Sequence, residues 1–133
     1  MKILIVDDQE VLRKSVMVHL ELIFSDAEIM ECASGMESLN MIGRFDPDII
    51  FMDISMPGMS GIQATRQIVA EYPGQRIIGF SMNDNMEMVE KMLSAGASAY
   101  LLKTDSMDDF KKAVEEVLED HQFISPNIMT MKQ

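Results

Sequence analysis

Five short apolar runs constrain this chain more than any other feature. They are Ile3–Val6, Ile29–Cys32, Ile49–Met52, Ile77–Phe80 and Tyr100–Leu102, each three or four residues long. Runs of that length suit strands buried on both faces and are too short for helices. Helical spacing fills the gaps between them. Leu12, Val16, Leu20 and Ile23 recur at intervals of four, four and three, which makes one apolar stripe. Further helical patterns cover Met36–Phe45, Ile62–Tyr72, Met86–Leu93 and Phe110–Leu118. Strands that alternate with helices are joined by right-handed crossovers and lie parallel. The expected fold is therefore α/β, three-layered, with five strands and five helices.

The helix ends carry their own signals. Ser34–Glu37, Ser60–Gln63 and Asp84–Glu87 have the form of a capping box, in which the first side chain and the fourth satisfy each other's backbone amides. Ser106 is placed to cap the last helix. Pro73-Gly74 and Gly96 are stops for the third and fourth helices. At 133 residues the chain has room for one compact domain. The alternation fades near residue 120, so residues 1–120 are expected to form the domain. Residues 121–133, HQFISPNIMTMKQ, read as a tail or linker with at most a helical turn after Pro126.

Composition removes several classes of function. A single cysteine, Cys32, excludes an internal disulfide and reads as a small buried thiol. A net charge of -11 with no basic stripe argues against nucleic-acid contact by this chain. Ile3–Val6 is too short for a signal-peptide core, and no run reaches the roughly 20 apolar residues of a membrane span. The expected location is cytoplasmic, with no membrane contact. His19 and His121 lie away from the strand ends and are expected on the surface. Fifteen methionines are present. Met88 and Met92 share a face of the fourth helix, and core filling is the simpler reading for them.

In an open parallel sheet, ligands bind beyond the carboxyl ends of the strands. The residues that follow the runs are Asp7 and Asp8 after the first, Asp53 after the third, Ser81 after the fourth and Lys103 after the fifth. One aspartate after a strand is ordinarily a turn former. Three at one rim are harder to explain that way. Two carboxylates about 5 Å apart repel by roughly 3 kcal/mol at an effective dielectric near 20. A hard divalent cation with oxygen ligands relieves that repulsion, and Mg²⁺ is the natural choice. A cation, an ammonium and a hydroxyl around one carboxylate suit a phosphoryl group.

The segments ILIVDDQ, DIIFMDISMPGMSG, IIGFSM and AGASAYLLKTD resemble the receiver domain of two-component response regulators over residues 2 to about 120. The resemblance implies a flavodoxin-like (βα)5 fold with strand order 2-1-3-4-5, an order that comes from the family and not from these residues. It implies Asp53 as phosphoacceptor from a sensor histidine kinase. Asp7, Asp8, Asp53 and the backbone carbonyl of Ser55 are then the ligands of Mg²⁺. Lys103 and Ser81 contact the phosphoryl oxygens, while Ser81 and Tyr100 form the switch. The output face is helix four, strand five and helix five; the oligomeric state is left open, with a phosphorylation-linked dimer as one option. YLLKTDSMDDF and ISPNIM resemble the junction that leads into a LuxR-type helix-turn-helix, although these 133 residues contain no such domain. The expectation is a regulator of transcription acting through a separate output domain. A stand-alone receiver working by protein contact or phosphorelay is the alternative.

Two positions depart from the family pattern. Thr104 stands where proline usually follows the lysine, leaving the Lys103–Thr104 peptide cis or trans. Met82 stands where Ala or Gly usually follows the switch hydroxyl, and a bulky thioether there would slow reaction with small phosphodonors. Two rival readings fit less well. A haloacid-dehalogenase-type phosphatase needs a second acid two residues after its nucleophile, and Ser55 and Gln9 occupy those positions. A flavin-binding module needs a first loop that accepts phosphate, and Asp7-Asp8 repels it.

Overall fold

The computed structural model of the chain describes residues 1–128. The last five residues of the segment read as a tail, 129–133, lie outside the described residues. The elements alternate as the apolar pattern requires: β1 (Lys2–Val6), α1 (Glu10–Ile23), β2 (Glu28–Cys32), α2 (Gly35–Phe45), β3 (Ile49–Asp53), α3 (Gly61–Glu71), β4 (Arg76–Ser81), α4 (Met86–Ala95), β5 (Ala99–Leu102), α5 (Met107–Leu118) and β6 (Phe123–Ile124).

All strand pairs are parallel, in the order β2-β1-β3-β4-β5-β6. The expectation of five strands is thus corrected to six. Phe123 and Ile124 pair with Ala99 and Tyr100 at the edge of β5. No periodic signal marks so short a strand. It forms because β5 offers an open edge next to the point where α5 delivers the chain. A second correction concerns β2, which is not buried on both faces. It is an outer strand whose Glu28 and Met30 are exposed, while Cys32 is covered.

Strand alternation sends successive side chains to two helical layers. Leu4, Val6, Ile50, Met52, Ile77, Tyr100 and Leu102 face α2, α3 and α4, where they meet Ile42, Phe45, Ala64, Ile68, Val89 and Met92. Ile3, Ile5, Ile49, Phe51, Ile78, Phe80 and Leu101 face α1 and α5, where they meet Val16, Leu20, Phe110, Val114 and Val117. Each such side chain contributes about 1.5–3 kcal/mol on burial. On the second face Phe51 stacks on Phe110 with centroids 5.9 Å apart and meets Phe80 edge-on. On the first, Met92 lies over Gly79 so closely that a Cβ there would stand 2.9 Å from its Cγ. Met92 is fully buried, so core filling holds for it. Met86 and Met88 are half-buried against the same cluster.

The capping signals acted at most of the expected places. Ser60 with Gln63, and Ser106 with Asp109, form complete capping boxes. Ser34 accepts the Glu37 amide, but the Glu37 carboxylate bonds to Ala33 N–H in place of Ser34. The fourth helix starts one residue later than Asp84 indicates: Asn85 is its cap and accepts from Glu87 N–H at 2.6 Å. Gly96 ends this helix at φ +121°, a backbone angle that L side chains rarely adopt.

Candidate functional site

Because β1 and β3 are neighbours in register, Val6 beside Met52, their next residues reach the rim together. One carboxylate oxygen each from Asp7, Asp8 and Asp53 lies within 4.8 Å of the others. Asp7 is 0% and Asp53 2% exposed, while Asp8 is half-buried. Asp7 Oδ1 accepts from Gln9 N–H at 3.0 Å, which turns the chain into α1. The end of β3 is shaped by Gly61. Its N–H donates to the Ile54 carbonyl at 2.8 Å, and a Cβ at this position would stand 2.0 Å from the Asp53 carbonyl oxygen. Only a residue without a side chain lets α3 start that close to the aspartate.

Lys103 comes in from the turn after β5, with its side chain 5% exposed. Its ammonium lies 2.9 Å from Asp7 Oδ2 and 3.1 Å from Asp53 Oδ1, and 5.1 Å above the centre of the Phe80 ring. One ammonium thus serves two carboxylates. Burial, and then the charge of Asp7, push Asp53 up from 3.8 to about 7, and Lys103 offsets only part of this. Asp7 Oδ2 meets Lys103 without the geometry of a hydrogen bond, and the buried Asp8 Oδ1 has no hydrogen-bond partner among the described residues. Such unsatisfied buried oxygens ordinarily have a partner. Three converging carboxylates, one with an orphaned oxygen, match the donor set of a hard divalent cation. Ser55 follows on the exposed loop after β3, and no described amide bonds to its carbonyl.

Ser81 ends β4 at 3% exposure, and its hydroxyl accepts from Asn83 N–H at 3.0 Å. Its carbonyl accepts from Lys103 N–H at 2.9 Å, so the hydroxyl and the ammonium belong to adjacent strand ends. Tyr100, the residue paired with Ser81 as a switch, lies inside the sheet. It is fully buried, and its hydroxyl donates to the Asn83 carbonyl at 2.7 Å. Met82 is 62% exposed beside the site. The Lys103–Thr104 peptide is trans.

Two residues at this rim were not anticipated. Arg13, on α1, donates to the Asp7 carbonyl at 2.7 Å while its Nε donates to Glu31 on β2. It clamps the acidic turn from behind. Lys14 and Arg13 together hold the Glu31 carboxyl below its ordinary range. Asp105, 5% exposed, accepts from Leu102 N–H at 2.9 Å and so closes the turn that carries Lys103. In the sequence both look like ordinary surface charges, and only their positions, six residues after Asp7 and two after Lys103, hint otherwise.

Other residues fall away from the site. Burial pushes the Cys32 thiol up to about 11, which leaves it inert. His121 is exposed beside Glu116, as expected for a surface residue. His19 is half-buried rather than on the surface and meets Phe110 edge-on at 6.2 Å. No described helix is long and apolar enough to cross a membrane.

A parallel sheet with an acidic rim and a buried lysine defines a class, and comparison with known proteins names it. The family described as response regulator receiver domain matches residues 3–115, and the chain belongs to that family. It is 31% identical over 127 residues to the transcriptional regulatory protein DegU of Brevibacillus brevis, covering 96% of this chain and 54% of that relative. It is 34% identical over 132 residues to the oxygen regulatory protein NreC of Staphylococcus carnosus, covering 98% of this chain and 60% of that relative. The chain therefore spans a little over half the length of the curated relatives it matches. Among solved structures it resembles a LuxR-family two-component response regulator from Aurantimonas sp. SI85-9A1, with a TM-score of 0.87 and 31% identity over 96% of this chain and 91% of that one.

Proposed function

We propose that Asp53 accepts a phosphoryl group from a sensor histidine kinase in a Mg²⁺-dependent reaction, and that this modification resets the surface formed by α4, β5 and α5. The observation that carries the reading is the Lys103 ammonium set between two buried carboxylates from different strands. Asp7, Asp8, Asp53 and the Ser55 carbonyl would hold Mg²⁺. When bound, the ion neutralises charge that builds on the phosphoryl oxygens.

A carboxylate oxygen of Asp53 attacks phosphorus, and the P–N bond to the kinase imidazole breaks. The bonding pair stays on nitrogen, which takes up a proton. Asp53 loses its own charge and gains about -1.5 to -2 units on the phosphoryl oxygens. Lys103 pairs with those oxygens, and the Ser81 hydroxyl exchanges its bond from Asn83 for one to the added group. The loop between β4 and α4 then moves, and Tyr100 follows through its bond to the Asn83 carbonyl. A local electrostatic change is passed in this way to a packed surface.

The chain turns over no external substrate in this reading. It gains and loses its own phosphoryl group. Residues 1–120 act as the receiver, with Phe123–Ile124 as the edge strand of its sheet, and the rest of 121–133 acts as the linker. DegU is named a transcriptional regulatory protein and this chain covers 54% of it, which supports a transcriptional output through a separate domain; the location proposed from the sequence is the cytoplasm. A dimer formed on phosphorylation would serve that output. Intact mass after incubation with acetyl phosphate and Mg²⁺ is the test. The protein should gain one PO₃ group, and Asp53→Ala should gain none. Equal labelling of both proteins would refute the assignment.

A further inference from the structure

The segment after α5 is bonded along the edge of β5 and to the turn that carries Lys103. Phe123 N–H donates to the Ser98 carbonyl, and Ser125 N–H donates to the Tyr100 carbonyl at 2.9 Å. Ile124 and Ile128 pack on the α4 side of the sheet, and Phe123 packs on the α5 side. Ser125 is buried at 3% exposure, and its hydroxyl accepts from Asn127 N–H at 3.1 Å. That bond sets Asn127 so that its Nδ2 donates to Asp105 Oδ1 at 2.8 Å. The other oxygen of Asp105 is the one that holds Leu102 N–H. Lys103 sits inside the turn so formed, between Leu102 and Asp105. One carboxylate therefore joins the lysine turn to a strap made of residues 123–128.

We propose that Asp105 is a positioning residue for Lys103, and that Asn127, acting through Asp105, couples the strap to the phosphoryl site in both directions. This rests on Asp53 being the phosphoacceptor. Asp105 is covered and charged, so a second donor on it is worth more than a contact in water. When the strap is seated, the turn is held from two sides and the ammonium keeps its place between Asp7 and Asp53. When Lys103 is drawn to a phosphoryl group, the turn shifts and the strap feels it through the same carboxylate. The strap is also the path by which the chain leaves the receiver, so the coupling sets how anything attached beyond it is held.

The test uses the 133-residue chain as wild type, Asn127→Ala, Asn127→Asp and the swapped pair Asp105→Asn with Asn127→Asp. In the swapped pair the new amide still accepts from Leu102 N–H and now donates to the new carboxylate. Two quantities are measured: the rate at which acetyl phosphate with Mg²⁺ labels Asp53, and amide exchange of residues 123–128 with and without beryllofluoride. In the wild type the phosphate mimic should change strap exchange. Asn127→Ala should label about threefold more slowly, the scale of one lost hydrogen bond, and lose that response. Asn127→Asp should do the same or worse, and the swapped pair should recover both. Variants that melt lower yet label and respond as the wild type does would assign Asn127 to stability alone and overturn the coupling. Equal behaviour of all four proteins would overturn it as well. If the wild type is not labelled at Asp53, the phosphoacceptor reading fails and the coupling fails with it.

Discussion

Beyond the carboxyl ends of the strands, Asp7 and Asp53 are covered and share one lysine. At the opposite end of the same sheet, Asp48 accepts from the exposed Lys2 N–H, and Arg76 meets an Asp120 whose side chain is 81% exposed. The second arrangement is what solvent exposure favours: each charge finds a partner or water, at little cost or gain. The first puts two covered carboxylates against one ammonium with a third, half-buried one beside them, which a fold selected only for stability would avoid. The difference separates charge left to solvent from charge gathered in a covered cluster.

The sharpest contrast between the two ends lies in their glycines. Gly61→Ala pushes a Cβ to 2.0 Å from the Asp53 carbonyl, whereas Gly74, after α3 at the other end, has nothing within 4 Å of such an atom. Gly61→Ala should cost about 3 kcal/mol and abolish labelling of Asp53. Gly74→Ala should stay within about 0.5 kcal/mol by urea denaturation. Similar losses for both would erase the contrast.

Next in size is the charge on Asp53. Asp53→Asn removes one of three crowded carboxylates and leaves Lys103 paired with Asp7. Without divalent metal it should raise stability by about 1–2 kcal/mol by urea denaturation. A loss of stability would mean that the ammonium already satisfies the rim.

The pH dependence follows from the same group. Asp53 is raised from 3.8 to about 7, so the folded state favours its protonated form. That contribution is full below about pH 4 and is lost as pH rises through 7. The metal-free wild type should therefore lose more stability between pH 5 and pH 8 than Asp53→Asn does, with the difference isolating this residue. Added Mg²⁺ should raise the melting temperature more at pH 8 than at pH 5, because the ion competes with the proton. The opposite order would remove Asp53 from the ligand set. The smallest effect belongs to the other end: Arg76→Gln should cost no more than about 1 kcal/mol and leave the Mg²⁺ response unchanged.

Much of this was legible in the sequence because it depends on local pattern. The apolar runs located β1, β3, β4 and β5 to within a residue or two, and Ser60 and Ser106 marked their helix starts. Asp7, Asp8, Asp53, Ser81 and Lys103 could be grouped because parallel strands bring their ends to one rim. What stayed hidden depends on contacts distant in sequence. Arg13 is held at the Asp7 carbonyl by Glu31, 18 residues on, which only the packing of α1 on the sheet brings near. Asp105 looks like a turn former until Asn127, 22 residues later, is placed on it. β6 has two residues and no period to read. The exposure of β2 follows from its outer position, which the apolar run alone does not give. Asn85 replaced Asp84 as a cap because the two are adjacent and both suit the role.

The sixth strand has a consequence for the chain among its own copies. A parallel sheet ends in two ragged margins whose amides and carbonyls are open to any extended segment nearby. Here one margin carries Glu28 and Glu31, and the other is hemmed by two residues, Phe123 and Ile124. A chain cut before residue 123 would bare β5, and at high protein concentration that seam is where neighbouring molecules would begin to stitch together.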